Sequence, residues 1–208
     1  MTITRRTGLL AAAAIALAAC ARQQPTAQQE SAADDPRPRA YAGIGQAAAD
    51  FELPKLGGGV ARLSDYAGKA LILSFGGLWC PDCVLDGPYL SHLARLAERD
   101  DRVAFLDIHT RNRFGKWGPN ARERSDHAVY DAEESGLALA AYFAETGHSY
   151  PVAFDASRTW AREAYKIEWS PTYVIVDRHG VIRRWRTDLF DRASAEAFFA
   201  AAAEVSAA

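Results

Sequence analysis

The sequence predicts an α/β domain, a central mixed sheet with helices on both faces, and three observations carry that prediction. Short apolar runs of strand length alternate with longer helical stretches along residues 43–208. The run Ala70-Leu71-Ile72-Leu73-Ser74-Phe75 is apolar at every position but Ser74, as a strand covered on both faces should be. Asp177-Arg178-His179-Gly180 joins the last two strand runs as a turn, so the sheet ends in an antiparallel hairpin.

In chain order, Phe51–Leu53 reads as a short strand, Gly57-Gly58-Gly59 as a turn and Val60–Leu63 as a second strand. Ser64-Asp65-Tyr66 makes a helical turn before the buried strand Ala70–Phe75. One helix is predicted from Cys80 to about Arg99, followed by the buried strand Val103–Ile108. A helix over Leu137–Glu145, a strand over Val152–Phe154 and a helix over Thr159–Tyr165 come next. The hairpin pairs Thr172–Val176 with Val181–Arg186, and an Ala-rich helix from Ala193 closes the chain. No internal repeat is visible.

The first 19 residues carry Arg5-Arg6 and then an apolar run from Gly8 to Ala19. That run is too short to cross a bilayer comfortably, and small residues close it, so residues 1–19 read as a signal peptide. Leu17-Ala18-Ala19-Cys20 resembles the lipobox of bacterial lipoproteins, which implies cleavage before Cys20 and a lipid on its sulfur. The arginine pair resembles a twin-arginine export signal, although Gly8 stands where that signal usually has Phe. Residues 20–42 are rich in Ala, Gln, Pro, Asp and Arg without apolar periodicity, the composition of a flexible tether. Nothing in the overall balance, a formal charge of −2, suggests nucleic acid or a polybasic membrane patch.

Trp79-Cys80-Pro81-Asp82-Cys83 stands where the buried strand hands over to the helix. A pair spaced as Cys-x-x-Cys is either half of a zinc site or a dithiol that opens and closes. No second Cys or His pair at ligand spacing exists in the sequence, so no metal is expected. A helix N-terminus offers unpaired N–H groups and partial positive charge, which favour a thiolate. The chain has three cysteines, and lipidation of Cys20 leaves Cys80 and Cys83 alone. Electrons must then come from an external thiol donor, and disulfide traffic of that kind belongs outside the cytoplasm.

Several ordered motifs resemble the TlpA/ResA-type thioredoxin-like family. They are Ile44-Gly45, Asp50-Phe51-Glu52-Leu53-Pro54, Leu63-Ser64-Asp65, Gly68-Lys69 and the Trp79–Cys83 element. Tyr150-Pro151-Val152-Ala153-Phe154-Asp155 and the stretch Ser170-Pro171 to Gly180 continue the match, which spans roughly residues 44–200. The resemblance implies a thioredoxin-like fold with an N-terminal strand extension, and thiol–disulfide exchange on the periplasmic side of a bacterial membrane. Members typically keep client cysteines reduced, for cytochrome c or copper-site maturation, with electrons from a membrane thiol transporter. No cofactor is implied beyond the Cys80–Cys83 redox pair itself.

Site roles follow from motif and resemblance together. Cys80 is expected to be the exposed nucleophile, and Cys83, one turn inward, to resolve the mixed disulfide. Trp79 should shield the pair and offer clients a flat contact, with Pro81 and Asp82 beside it. The resemblance makes Ser170–Pro171 a cis peptide whose Ser170 backbone meets a client strand. Asp86 stands where the family often has Glu, with Pro88 two residues on, and is expected to take the proton of Cys83. Ser74 occupies the strand position where thioredoxin buries an acid, so that acid is read as absent. The Asp82 carboxylate opposes a thiolate and its N–H favours one; the charge is expected to dominate.

Of the five histidines, none has ligand spacing; they read as surface or loop residues, with His109 ending a strand at a sheet edge near the site. Arg111–Tyr130 reads as an inserted loop, Arg-rich, with Phe114 and Trp117 as contact anchors if it meets a partner. Two rival functions share the fold. A copper-binding assembly factor of the SCO type would space its cysteines by three residues rather than two. A thiol peroxidase would precede its reactive cysteine with a threonine turn, where this chain has Trp79.

Overall fold

The computed structural model describes residues 43–110, 132–155, 157, 160–167, 169–189 and 191–207. The signal peptide over 1–19, the tether over 20–42, the lipid site Cys20 and the Arg111–Tyr130 insert lie outside the described residues.

Seven strands form. Glu52–Pro54 (β1) and Val60–Arg62 (β2) make an antiparallel hairpin, and a 3₁₀ turn over Leu63–Tyr66 leads on. Ala70–Gly76 (β3), Val103–Thr110 (β4), Val152–Asp155 (β5), Thr172–Val176 (β6) and Ile182–Thr187 (β7) build one mixed sheet in the order β5-β4-β3-β6-β7. The β3–β4 and β4–β5 pairs are parallel, whereas β6 runs antiparallel to both β3 and β7. The helices are Pro81–Leu85 (α1), Gly87–Ala97 (α2), Ala132–Thr146 (α3), Trp160–Tyr165 (α4) and Arg192–Ala207 (α5). This is the α/β architecture that the sequence predicts.

The strand period of two sorts the sheet into two cores. Ile72, Phe105, Tyr173 and Ile175 face Leu90 and Leu93 of α2, Leu139 and Tyr142 of α3, and Phe198 and Ala202 of α5. Leu71, Leu73, Phe75, Leu106, Ile108, Val174 and Val176 face the other way, onto Ala161 and Tyr165 of α4 and onto Phe51 and Ala61 of the hairpin. The N-terminal segment also pairs with one end of each sheet edge. Gly45 and Ala48 donate to the carbonyls of Ile182 and Gly180 at 2.8 Å, and Leu56 donates to Val152 at 3.0 Å on the opposite edge.

Two expectations need correction here. The helix predicted from Cys80 to Arg99 is two helices, broken at Asp86, because Pro88 has no N–H for the carbonyl of Val84 four residues back. Tyr142 takes that carbonyl instead, its hydroxyl donating at 3.2 Å. Gly87 permits the approach, since a Cβ there would strike the Tyr142 hydroxyl. His109, expected at a sheet edge, sits on β4 with strands on both sides and is 1% exposed.

Candidate active site

β3 is buried along its whole length and delivers the chain, through Gly77 and Leu78, to the Trp79–Cys83 element at its end. Cys80 has extended backbone angles and caps α1, and Pro81 fills the first helical position, where a missing N–H costs nothing. The Cys83 N–H donates to the Cys80 sulfur at 3.4 Å. This N–H donation is one of the contacts that favour negative charge on Cys80.

The two thiols are reduced and electrostatically opposite. A hydrogen bond from the Cys83 thiol is the main influence drawing Cys80 below the usual thiol range; burial opposes it and the Cys83 N–H adds to it. Asp82 is exposed and acts both ways, its charge raising Cys80 more than its N–H lowers it, as expected. Burial pushes Cys83 well above the ordinary value, and its hydrogen bond and repulsion with Cys80 reinforce that. Cys80 is therefore the more acidic thiol of the pair. It is not the exposed group that the sequence suggests: Cys80 is 6% and Cys83 8% exposed. The Ser170 carbonyl lies 3.5 Å from the Cys80 sulfur.

The other expected contacts are in place. The Ser170–Pro171 peptide bond is cis, with Pro171 buried and Ser170 half-buried beside Cys80. Trp79 is half-buried and donates its indole N–H to the carbonyl of Thr110 at 2.6 Å, which fixes the element to the end of β4. Thr110 returns a hydrogen bond from its hydroxyl to the Gly76 carbonyl at 3.3 Å. The sulfur of Cys83 lies 2.6 Å from where a Cβ on Gly76 would stand. A Gly76→Ala substitution is accordingly expected to lower stability by about 1–3 kcal/mol through overpacking and to displace Cys83; chemical denaturation and thiol titration check it.

Asp86, at the break between α1 and α2, is buried. Its Oδ2 accepts from the Tyr173 hydroxyl at 2.7 Å and from the Leu189 N–H at 3.0 Å. Burial raises its carboxyl above the usual range against the pull of those two donors. The carboxylate is thus tied to β6 and to the segment before α5, and Tyr173 stands between it and the space beside Cys83.

That space is a small pocket lined by Cys83, Ser74, Asp107, His109, Tyr150 and Tyr173 among others. The sheet register explains the gathering. Ser74 pairs with Asp107 on one side and Tyr173 on the other, so three polar side chains make one row across β4, β3 and β6. Gly76 and His109 form the second pair along the same two strands, on the same face of the sheet. The buried acid that Ser74 seemed to rule out is therefore present, one strand to the side. Asp107 is 4% exposed, and burial raises its carboxyl to about 6 although Ser74 hydrogen-bonds it and His109 attracts it. Sequence reading missed Asp107 and Tyr173; the one usable signal was an acid inside the otherwise apolar run Val103–Ile108. Among the described residues no three His, Cys, Asp or Glu side chains are grouped as metal ligands.

Comparison with known proteins follows the same lines. The redoxin family model matches residues 44–197. The thiol-disulfide oxidoreductase ResA of Geobacillus kaustophilus is 26% identical over 141 residues, 68% of this chain and 67% of that protein. A thiol:disulfide interchange protein of the thioredoxin family from Chlorobium tepidum superposes with a TM-score of 0.55 at 17% identity, over 80% of this chain and 98% of that one. The exposed lipoprotein thioredoxin of Streptococcus pneumoniae gives 0.55 at 22% identity, over 74% and 99%. The fold is thioredoxin-like.

Proposed function

The chain belongs to the redoxin family, and from that premise we propose that it is an extracytoplasmic thiol–disulfide oxidoreductase that reduces disulfides on client proteins through Cys80 and Cys83. The observation that carries this reading is the opposed pair: a Cys80 sulfur accepting the Cys83 N–H and drawn toward thiolate, beside a Cys83 thiol held protonated. The Cys80 thiolate attacks one sulfur of the client disulfide and expels the other as a thiolate. Cys83, deprotonated, then attacks the Cys80 sulfur of the mixed disulfide. The client leaves with both sulfurs reduced, and the Cys80–Cys83 disulfide stores the oxidised state until an external thiol donor reduces it.

Ser170 and Trp79 frame the place where a client strand would lie, with Pro81, Asp82 and Pro171 around it. Clients of the cytochrome c or copper-site maturation type suit the likeness to ResA, and a lipid on Cys20 would hold the domain at the membrane. The lipobox-like Leu17–Cys20 segment and the description of the pneumococcal protein as an exposed lipoprotein support the extracytoplasmic placement. The wild-type chain is expected to accelerate the dithiothreitol-driven reduction of insulin, read as turbidity; an inert, folded wild type would contradict the proposal.

A further inference from the structure

We infer that Asp107, on the strand beside the one that carries the dithiol, accepts the proton of Cys83 when Cys83 resolves the mixed disulfide, with Ser74 holding the carboxylate in position. The inference rests on the disulfide-exchange reading above and assigns its second step.

Three observations lead there. Cys83 has to lose a proton before it can attack, yet its surroundings hold that proton firmly. Asp107 lines the same pocket as the Cys83 thiol, and its charge bears directly on that thiol. The sheet fixes it there, since the Ser74–Asp107 register pair lies two pairs along from Gly76–His109, on the same face of the sheet, and the Cys83 sulfur rests against Gly76. Asp86, the acid nearer in sequence, is spent on Tyr173 and Leu189 and stands behind the Tyr173 hydroxyl. A base is most useful when it titrates near working pH, and burial has moved Asp107 up to about 6.

The step balances without an added reagent. The Cys83 S–H bond breaks and its proton passes to the Asp107 carboxylate. The Cys83 sulfur forms a bond to the Cys80 sulfur as the bond from Cys80 to the client breaks. The client departs as a thiolate, reduced by the electron pair that the protein dithiol loses. The other titratable groups facing Asp107 are Cys83 from α1, His109 on its own strand, Tyr150 ahead of β5 and Tyr173 from β6.

The test uses the full chain carrying Cys20→Ala, so that only Cys80 and Cys83 titrate, reduced and mixed rapidly with excess dithionitrobenzoate. The first release of thionitrobenzoate reports attack by Cys80. The second, independent of reagent concentration, reports attack by Cys83 on the Cys80 mixed disulfide. In the wild type the second rate should rise to a plateau above about pH 6, following the Asp107 carboxylate. In Asp107→Asn the second release should slow about 100-fold near neutrality and climb tenfold per pH unit with no plateau, while the first release keeps its rate. Should Asp107→Asn fail to fold, Ser74→Ala serves: loss of the hydrogen bond to the carboxylate should move the break to higher pH.

An Asp107→Asn profile that keeps the wild-type plateau overturns the inference. So does a plateau that vanishes in Asp86→Asn or His109→Gln while Asp107→Asn retains it. Failure of the underlying reading looks different, because a wild type with no second release has no resolving step to assign.

Discussion

Replacing Cys80 by serine abolishes insulin reduction and returns turbidity to the dithiothreitol background. The serine hydroxyl keeps the place of the sulfur at the cap of α1 but is not ionised near neutral pH, so the Cys83 N–H has no thiolate to favour. The fold should survive, because only one atom changes, at the cap of α1, and near-unchanged denaturation curves would confirm that. Activity retained by Cys80→Ser would remove the attacking group from the scheme and end it.

Asp107→Asn raises the stability of the folded domain at neutral pH. The sign follows from the direction of the shift. Below 3.8 the carboxyl is protonated in folded and unfolded chains alike, and it contributes no difference. Between 3.8 and about 6 the unfolded chain releases a proton that the folded chain keeps, so stability falls as pH rises. Above that window the full cost of ionising a buried acid is present, about 3 kcal/mol for a rise from 3.8 to about 6. Asparagine has no such titration. Urea unfolding should therefore show the variant more stable by up to about 3 kcal/mol near pH 7, with the gap closing toward about pH 3.5. A wild type as stable as the variant at both pH values would show that Asp107 is not a strained buried acid. Stability gained and the second chemical step slowed by one substitution is the trade expected of a functional residue.

The sequence disclosed what depends on local pattern. Ala70–Phe75 and Thr172–Val176 are continuous apolar runs, and both are strands buried at every residue. The Asp177–Gly180 turn is equally local: the Asp177 carboxylate takes the N–H groups of His179 and Val181 at 2.9 Å, and the hairpin closes around it. The break at Asp86 was half legible. Pro88 marks it, but the hydroxyl that accepts the consequence comes from Tyr142, across the domain in α3.

Asp107 was hidden for a different reason. Its meaning comes from the β3–β4 register, which sets it against Ser74, and register between two non-adjacent stretches leaves no periodicity to read. The same register buries His109, which local reading placed at an edge. Asp86 was expected, from its helix spacing, to take the proton of Cys83; the partners that hold its carboxylate, Tyr173 and Leu189, lie far along the chain and leave no local signal. Cys80 looked exposed because its place at a helix start is usually open, and the Ser170 carbonyl that lies against it arrives from 90 residues away.

The central claim is that Cys80 forms a covalent intermediate with a client and Cys83 resolves it. Trapping with a Cys83→Ser variant of the full chain tests that most directly, through non-reducing electrophoresis and mass spectrometry of the adducts. The account predicts mixed disulfides attached at Cys80, reversed by dithiothreitol and absent from the Cys80→Ser/Cys83→Ser double variant. A folded Cys83→Ser protein that accumulates no adduct at Cys80 when supplied with a disulfide substrate would contradict it.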